Sequence, residues 1–311
     1  MRKEVIICLD IGGTNCRMGI VDREGALLER QIRSTAALAE KGFVRELTVL
    51  LRECKARCAE KYLVRAVSMG FPATVDRTRR RVLQVPNIPG IGDNLPICDV
   101  LEAQLEIPVF LEKDVNLLLE YDLQDLELRD SGTVIGIYFG TGIGNSIYIG
   151  GRFHNGANGV AGELGHIPRL GQETPCGCGN ACCIEPLGGG RRLSQLCETE
   201  FAGTEIKNIY LRHSSCESVR QQVEVMAAAV ATEVNILDPD HVVLGGGLLQ
   251  MEGFPRDYFE ERIRFHTRKP YPLNSLRLLY ARPGQASGVI GAGLHGWSKL
   301  GSILDSHDPR Q

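Results

Sequence analysis

The chain has 311 residues, 43% hydrophobic and 23% charged, an ordinary globular composition with length enough for two lobes and two cores. Lys plus Arg total 35 against 38 for Asp plus Glu, a net charge of -3 with no basic stripe, which argues against nucleic acid as the main partner. No apolar run approaches the roughly 20 residues a bilayer needs, and the run after Arg2 and Lys3 is broken at Asp10, so neither a membrane anchor nor a signal peptide is expected and the chain reads as cytoplasmic.

In chain order, Val5 to Leu9 is a β-branched apolar run closed by Asp10 and two glycines, the pattern of a buried strand and turn. Arg17 to Val21 and Ala26 to Arg33 predict two more strands joined by a hairpin turn at Asp22–Gly25. Phe43, Leu47, Leu50, Leu51 and Cys54 share one helical face within Gly42 to Ala59. A strand at Val64–Met69, a short helix at Asp99–Leu105 and a strand at Pro108–Leu111 complete an α/β lobe.

The pattern then restarts. Thr133 to Phe139 is an apolar strand, followed by Gly140-Thr141-Gly142-Ile143-Gly144 and a strand at Ser146–Ile149. Strand, Gly/Thr turn, strand, Gly turn opens both halves, which points to internal duplication. A long helix spans Ser218 to Leu237 and stops at Asp238-Pro239. His241 to Leu244 runs as a strand into Gly245-Gly246-Gly247, and a Gly- and Ala-rich helix covers Gly288 to Leu300.

The eleven cysteines are unevenly placed. Cys176, Cys178, Cys182 and Cys183 crowd together while the others scatter, which fits a reduced protein with one metal cluster better than a disulfide framework.

Three strand-to-glycine junctions suit a nucleotide. In Asp10-Ile11-Gly12-Gly13-Thr14 the glycines let backbone N–H groups approach phosphate oxygens, Thr14 adds a hydroxyl, and Asp10 suits a hydrated Mg²⁺. Gly140, Thr141, Gly142 and Gly144 repeat that chemistry in the second half. Neither is a Walker A loop, and each alone reads more simply as a hairpin turn, but two of them at equivalent places in the two halves favour phosphate loops. Gly245, Gly246 and Gly247 offer a flat surface for a purine and ribose, or a tight strand-to-helix connection.

Five motifs in order resemble the ROK family of sugar kinases and regulators, within the actin and hexokinase superfamily. They are Asp10–Thr14, Pro86-Asn87, Asp114-Val115-Asn116, Gly162-Glu163-Leu164-Gly165-His166 with its cysteines, and Leu244–Gly247. The resemblance covers nearly the whole chain. The runs Gly70-Phe71-Pro72-Ala73 and Val160–Pro168 look most like the D-allose kinases of that family.

The resemblance implies an α/β, actin-like (ribonuclease H-like) duplicated two-lobed ATPase fold with a cleft between lobes. Residues 1–116 would form the first lobe, with helix 288–300 packing back on it, and 117–287 the second, with a zinc loop. The implied reaction is ATP-dependent phosphorylation of the 6-hydroxyl of an aldohexose, D-allose first, with glucose, mannose or an N-acetylhexosamine as alternatives. Asp114 becomes the general base, although its position before the helical run Val115–Tyr121 also suits a helix N-cap. Glu163, His166 and Glu185 would face the sugar, joined by Asn87, which as a turn residue after Pro86 has a simpler reading too. Lys113 stands where the family has asparagine. It offers only donors on a longer stem, so it would either alter sugar choice or point to solvent or to ATP phosphate.

His166, Cys176, Cys178 and Cys183 supply one nitrogen and three sulfurs, the donor set of a closed structural zinc site. Cys182 occupies a family glycine position, so Cys182 or Cys183 completes the set, and Cys183 keeps the family spacing to Glu185. ATP, Mg²⁺ and Zn²⁺ are the expected cofactors, a sugar the expected partner, and the resemblance allows a homodimer. Sugar-responsive regulators of the family carry a helix-turn-helix domain ahead of the first loop. Nine residues before Asp10 leave no room for one, so an enzyme is expected rather than a regulator or a non-catalytic sugar-binding module.

Overall fold

The computed structural model describes residues 2–85, 88 and 91–305. The chain divides into two compact units, Met1–Glu127 with Asn155–Val160 and Gly284–Gln311, and Leu128–His154 with Ala161–Pro283.

The first unit runs β1 (Lys3–Ile11), β2 (Asn15–Asp22), β3 (Leu27–Ser34), α1 (Thr35–Glu40), α2 (Phe43–Cys58) and β4 (Tyr62–Phe71). A short hairpin follows, β5 (Thr74–Val75) and β6 (Val82–Gln84), then α3 (Ile97–Leu105), β7 (Val109–Lys113) and α4 (Asp114–Asp125). The sheet order is β3-β2-β1-β4-β7, with β1 antiparallel to β2 and parallel to β4. A continuous apolar run in β1 follows from burial on both faces. Val5, Ile7 and Leu9 pack with Phe43, Leu47 and Leu51 of α2, while Ile6 and Cys8 pack with Leu117 of α4 and with Val289 and Ala292.

Val289 and Ala292 belong to the C-terminal helix, Ser287–Asp305, which is longer than its apolar core at 288–300 suggested. Glycine inside a helix costs roughly 1 kcal/mol relative to alanine. Here it permits contact, because a Cβ at Gly291 would lie 1.9 Å from the Leu117 carbonyl oxygen. This packing keeps α4 with the first unit, where a division after Asn116 would have it open the second.

The second unit contains β8 (Thr133–Phe139), β9 (Ile143–Ile149), β10 (Arg152–Phe153), α5 (Glu185–Gly188), α6 (Gly190–Thr199), α7 (Ile209–His213), α8 (Glu217–Leu237), β11 (His241–Gly245), α9 (Arg256–His266) and β12 (Leu278–Tyr280). Its sheet order, β10-β9-β8-β11-β12, repeats that of the first unit, with β8 antiparallel to β9 and parallel to β11. This is the duplicated actin-like α/β arrangement. Ile135, Ile137 and Phe139 pack beneath Val223, Met226 and Val230 of α8 and Phe259 and Ile263 of α9. Strand β9 begins at Ile143 rather than Ser146, so Gly144 lies in the ladder opposite Tyr138 and the turn before it is shorter than the glycine motif. Among the described residues no helix is long and apolar enough to cross a membrane.

Candidate active site and metal cluster

In the first unit, two acidic groups stand at the carboxyl ends of β1 and β7, the strands on either side of β4. Asp10, on β1, is half-buried, with Arg17 Nη1 3.5 Å from its Oδ2. Burial pushes its carboxyl up from the usual range, and Arg17 opposes that rise. A Cβ at Gly288 would come within 2.6 Å of the Asp10 carboxyl carbon, so the carboxylate rests against the first turn of the C-terminal helix, at its positive end. The following turn is held by backbone. Gly12 N donates to Asn15 O at 2.9 Å, Thr35 Oγ1 donates to Gly12 O at 2.7 Å, and Thr35 N donates to Thr14 O at 3.0 Å. Gly13 and Thr14 are exposed at its tip.

Asp114 is the first residue of α4 and is half-buried. The N-cap is Lys113, so the simple capping account of Asp114 does not hold. Its Oδ1 accepts from Val115 N at 2.8 Å, which fixes the carboxylate against the helix start. Behind it, Glu112 Oε1 accepts from Lys113 N and from Asn116 Nδ2, both at 2.9 Å, and lies 3.3 Å from Arg79 Nε. Lys113 itself is 7% exposed, so it does not point to solvent. Asn87 lies outside the described residues.

In the second unit the Gly140–Gly142 turn is backed by the chain around α5. Gly190 N donates to Gly140 O at 2.8 Å and Arg191 N to Thr141 O at 3.3 Å. Ile143 N donates to Glu185 Oε2 at 3.1 Å, and a Cβ at Gly142 would lie 2.2 Å from that oxygen. Only glycine therefore lets the Glu185 carboxylate reach the turn. Gly246, at φ +95, packs so closely that a Cβ would lie 2.3 Å from the Phe139 carbonyl oxygen, while Gly247 faces open space. The structure thus brings Glu185, Gly140–Gly142 and Gly245–Gly247 to one end of the second sheet.

Beside them, His166, Cys176, Cys178 and Cys183 place their ligand atoms within 4.8 Å of one another. Cys176 Sγ is 3.5 Å from His166 Nδ1, and Cys178 Sγ is 3.6 Å from Cys183 Sγ. A tetrahedral zinc with bonds of about 2.0–2.3 Å sets its ligand atoms about 3.5–3.8 Å apart, so donor set and spacing both fit that ion. Gly179, at φ +96, turns the knuckle, with Gly179 N donating to Cys176 O and Cys176 N to Asn180 O. Cys183 is buried and joins the cluster, whereas Cys182 does not. The Asn180 backbone N–H holds the Cys178 thiol below its usual range, and burial pushes that of Cys183 up to about 12. His166 turns Nε2 toward Glu163, 3.6 Å from Oε2.

A profile of the ROK family matches residues 6–295. The chain belongs to the ROK family. It is similar to an N-acetyl-D-glucosamine kinase of Haemophilus influenzae, 28% identical over 91% of this chain and 96% of that protein. It is also similar to an N-acetylmannosamine kinase of Salmonella arizonae, 27% identical over 93% of this chain and 97% of that protein. Among solved structures it resembles a ROK family glucokinase from Streptomyces griseus, in complex with glucose and AMPPNP, at a TM-score of 0.77 and 27% identity, covering 93% of this chain and 98% of that one.

Set in this ROK chain, two polar groups went unnoticed in the sequence. The Arg79–Glu112–Asn116 cluster lies under Asp114, and the Asn145–Glu233 pair lies under the Gly162 turn, with Asn145 Nδ2 2.7 Å from Glu233 Oε2. One signal was available. Val219, Val223, Met226, Val230 and Glu233 fall on one helical stripe, which sets a carboxylate among core positions.

Proposed function

We propose that this ROK protein transfers the γ-phosphoryl group of ATP to the 6-hydroxyl of an aldohexose or N-acetylhexosamine. It is an ATP-dependent sugar kinase. The observation that carries the reading is Asp114, held half-buried at the start of α4 by the Val115 N–H, within a family match spanning 6–295. A carboxylate so held takes the proton as the sugar hydroxyl attacks.

Each remaining residue has a matching task. Gly12, Gly13, Thr14, Gly140, Thr141, Gly142 and Gly144 receive phosphate through backbone N–H groups and hydroxyls. Gly245, Gly246 and Gly247 take the adenosine. Asp10 would hold Mg²⁺, which when bound would supply neutralisation of the phosphate charge. Glu163, His166, Glu185, Asn87 and Lys113 bind the sugar hydroxyls. His166, Cys176, Cys178 and Cys183 would hold a structural zinc that would brace the loop carrying His166, and with Nδ1 on the metal side His166 would keep its proton on Nε2, toward Glu163.

Within this class the relatives' names favour N-acetylhexosamines and glucose. The allose reading rests on Gly70–Ala73 and Val160–Pro168, and Gly70 has a packing reason of its own. A Cβ there would lie 2.7 Å from Leu117 Cδ1 and 3.3 Å from Asp114 Cα. The buried Lys113 is the residue to watch for epimer choice. The test is ADP release over glucose, mannose, allose, N-acetylglucosamine and N-acetylmannosamine. At least one sugar should reach a kcat/KM of about 10⁴ M⁻¹s⁻¹, and the sugar ranking should change in Lys113→Asn. Turnover of none of them contradicts the reading, and an unchanged ranking removes Lys113 from sugar choice.

A further inference from the structure

A charged residue type in the middle of a packed helix needs a reason, because burying an unpaired polar group costs free energy that a leucine would not. Glu233 lies in α8 at 5% exposure, on the stripe that packs over β8 and β9. Its Oε2 accepts from Asn145 Nδ2 at 2.7 Å, and the same amide nitrogen donates to Gly136 O at 3.2 Å. Both N–H groups of Asn145 are therefore used on one side, which fixes the rotation of its amide. The oxygen side faces the next segment. A Cβ at Gly162, where φ is +84, would lie 2.9 Å from Asn145 Oδ1 and 2.7 Å from Asn145 O. Gly162 immediately precedes Glu163 and the 3₁₀ turn Leu164–His166, so the Asn145 amide forms the floor on which the Glu163–His166 segment stands.

We propose that Glu233 is a positioning residue for sugar binding, acting through Asn145 to hold the Gly162 turn and with it Glu163 and His166. The inference rests on the sugar-kinase reading above, which assigns those two residues to the sugar. It explains why an acid and not a leucine occupies this core position. Without an acceptor at 233, one N–H of Asn145 is stranded and the amide is free to turn away from Gly162. Burial raises the Glu233 carboxyl to about 8 against the lowering effect of the Asn145 amide, and no ionised side chain from α8, β9 or the Leu164–His166 turn contributes. At neutral pH the group is then a neutral acid accepting through its carbonyl oxygen, an arrangement glutamine reproduces.

The experiment compares the native protein with Glu233→Gln and Glu233→Leu, using the sugar that gives most ADP. Glu233→Leu should raise the sugar KM by about 10–100-fold, the range seen when outer-shell partners are removed, with the ATP KM changed far less. Glu233→Gln should restore the native sugar KM. A native sugar KM in a folded Glu233→Leu variant overturns the proposal, and so does an equal loss of both KM values or a Glu233→Gln variant whose sugar KM stays as high as that of Glu233→Leu. Native protein that phosphorylates no sugar overturns the kinase reading instead, a result visible before any variant is made.

Discussion

The two sheets share one strand order, yet the turns at their ends are held in different ways. In the first unit the Gly12–Thr14 turn hangs on backbone and one buried threonine, and a Cβ at Gly12 would meet only Asn15 O at 3.3 Å and Arg17 Nη1 at 4.0 Å. In the second unit the Gly140–Gly142 turn is filled from behind by Glu185 and the Gly188–Gly190 chain. The first unit carries the acids suited to protons and metal, Asp10 and Asp114, on rigid strand and helix ends. The second carries the proposed recognition groups Glu163 and His166 on an irregular loop beside the cysteine cluster, which on the zinc reading would hold its shape. Duplication thus explains the scaffold, and the chemistry follows from what each copy added to it.

The largest effect should come from Asp114→Asn. If the first unit supplies the base, kcat falls by about 10²–10⁴-fold while sugar affinity changes little, measured by steady-state kinetics beside equilibrium binding. A kcat within a few-fold of native would remove Asp114 from the reaction. Next is the proposed zinc site: the native protein should carry one zinc per chain, and Cys178→Ser should lose it and lower Tm by about 5 °C or more, because a structural ion contributes directly to folding. Metal analysis and thermal unfolding on the same sample check this, and a full zinc content in the variant contradicts the assignment.

A paired substitution probes the contrast between turns. Gly142→Ala must displace the Glu185 carboxylate, whereas Gly12→Ala meets only a tight contact with Asn15 O. The second-unit variant should lose ~10-fold or more in kcat/KM with little loss of Tm, since only a side-chain end moves, and the first-unit variant should lose less. Equal effects would show that the difference in backing has no functional weight.

The smallest effect concerns Glu233. Its carboxyl is raised from 4.5 to about 8 in the folded chain, so the folded state holds a proton that the unfolded state has released. The associated stability is fully present below the unfolded value and declines as pH rises through the window up to about 8. Glu233→Gln, which cannot ionise, should therefore show a flatter Tm against pH, gaining on the native protein as pH rises. Parallel curves would show that Glu233 is not protonated in the fold.

Much of this was legible locally. The β1 and β8 strands stood out because each is an apolar run closed by glycine, and the cysteine cluster because its ligands fall within a short stretch. Helix α9 was missed because only Phe259 and Ile263 are buried on an otherwise charged helix, and β12 because it is three half-buried residues at a sheet edge. The site's supporting contacts were hidden by distance in sequence. Glu185 reaches Ile143 across 42 positions, and Glu233 reaches Asn145 across 88. The close approach of Gly142 to Glu185 likewise exists only once the chain has folded.

The most direct test of the account is the stoichiometry of ADP and sugar phosphate formed by the native protein, followed together by coupled assay and phosphorus NMR. The account predicts negligible ADP without sugar and, with a sugar that is turned over, one sugar 6-phosphate for each ADP. ADP release at the same rate without sugar, or phosphate appearing at another hydroxyl, would contradict it.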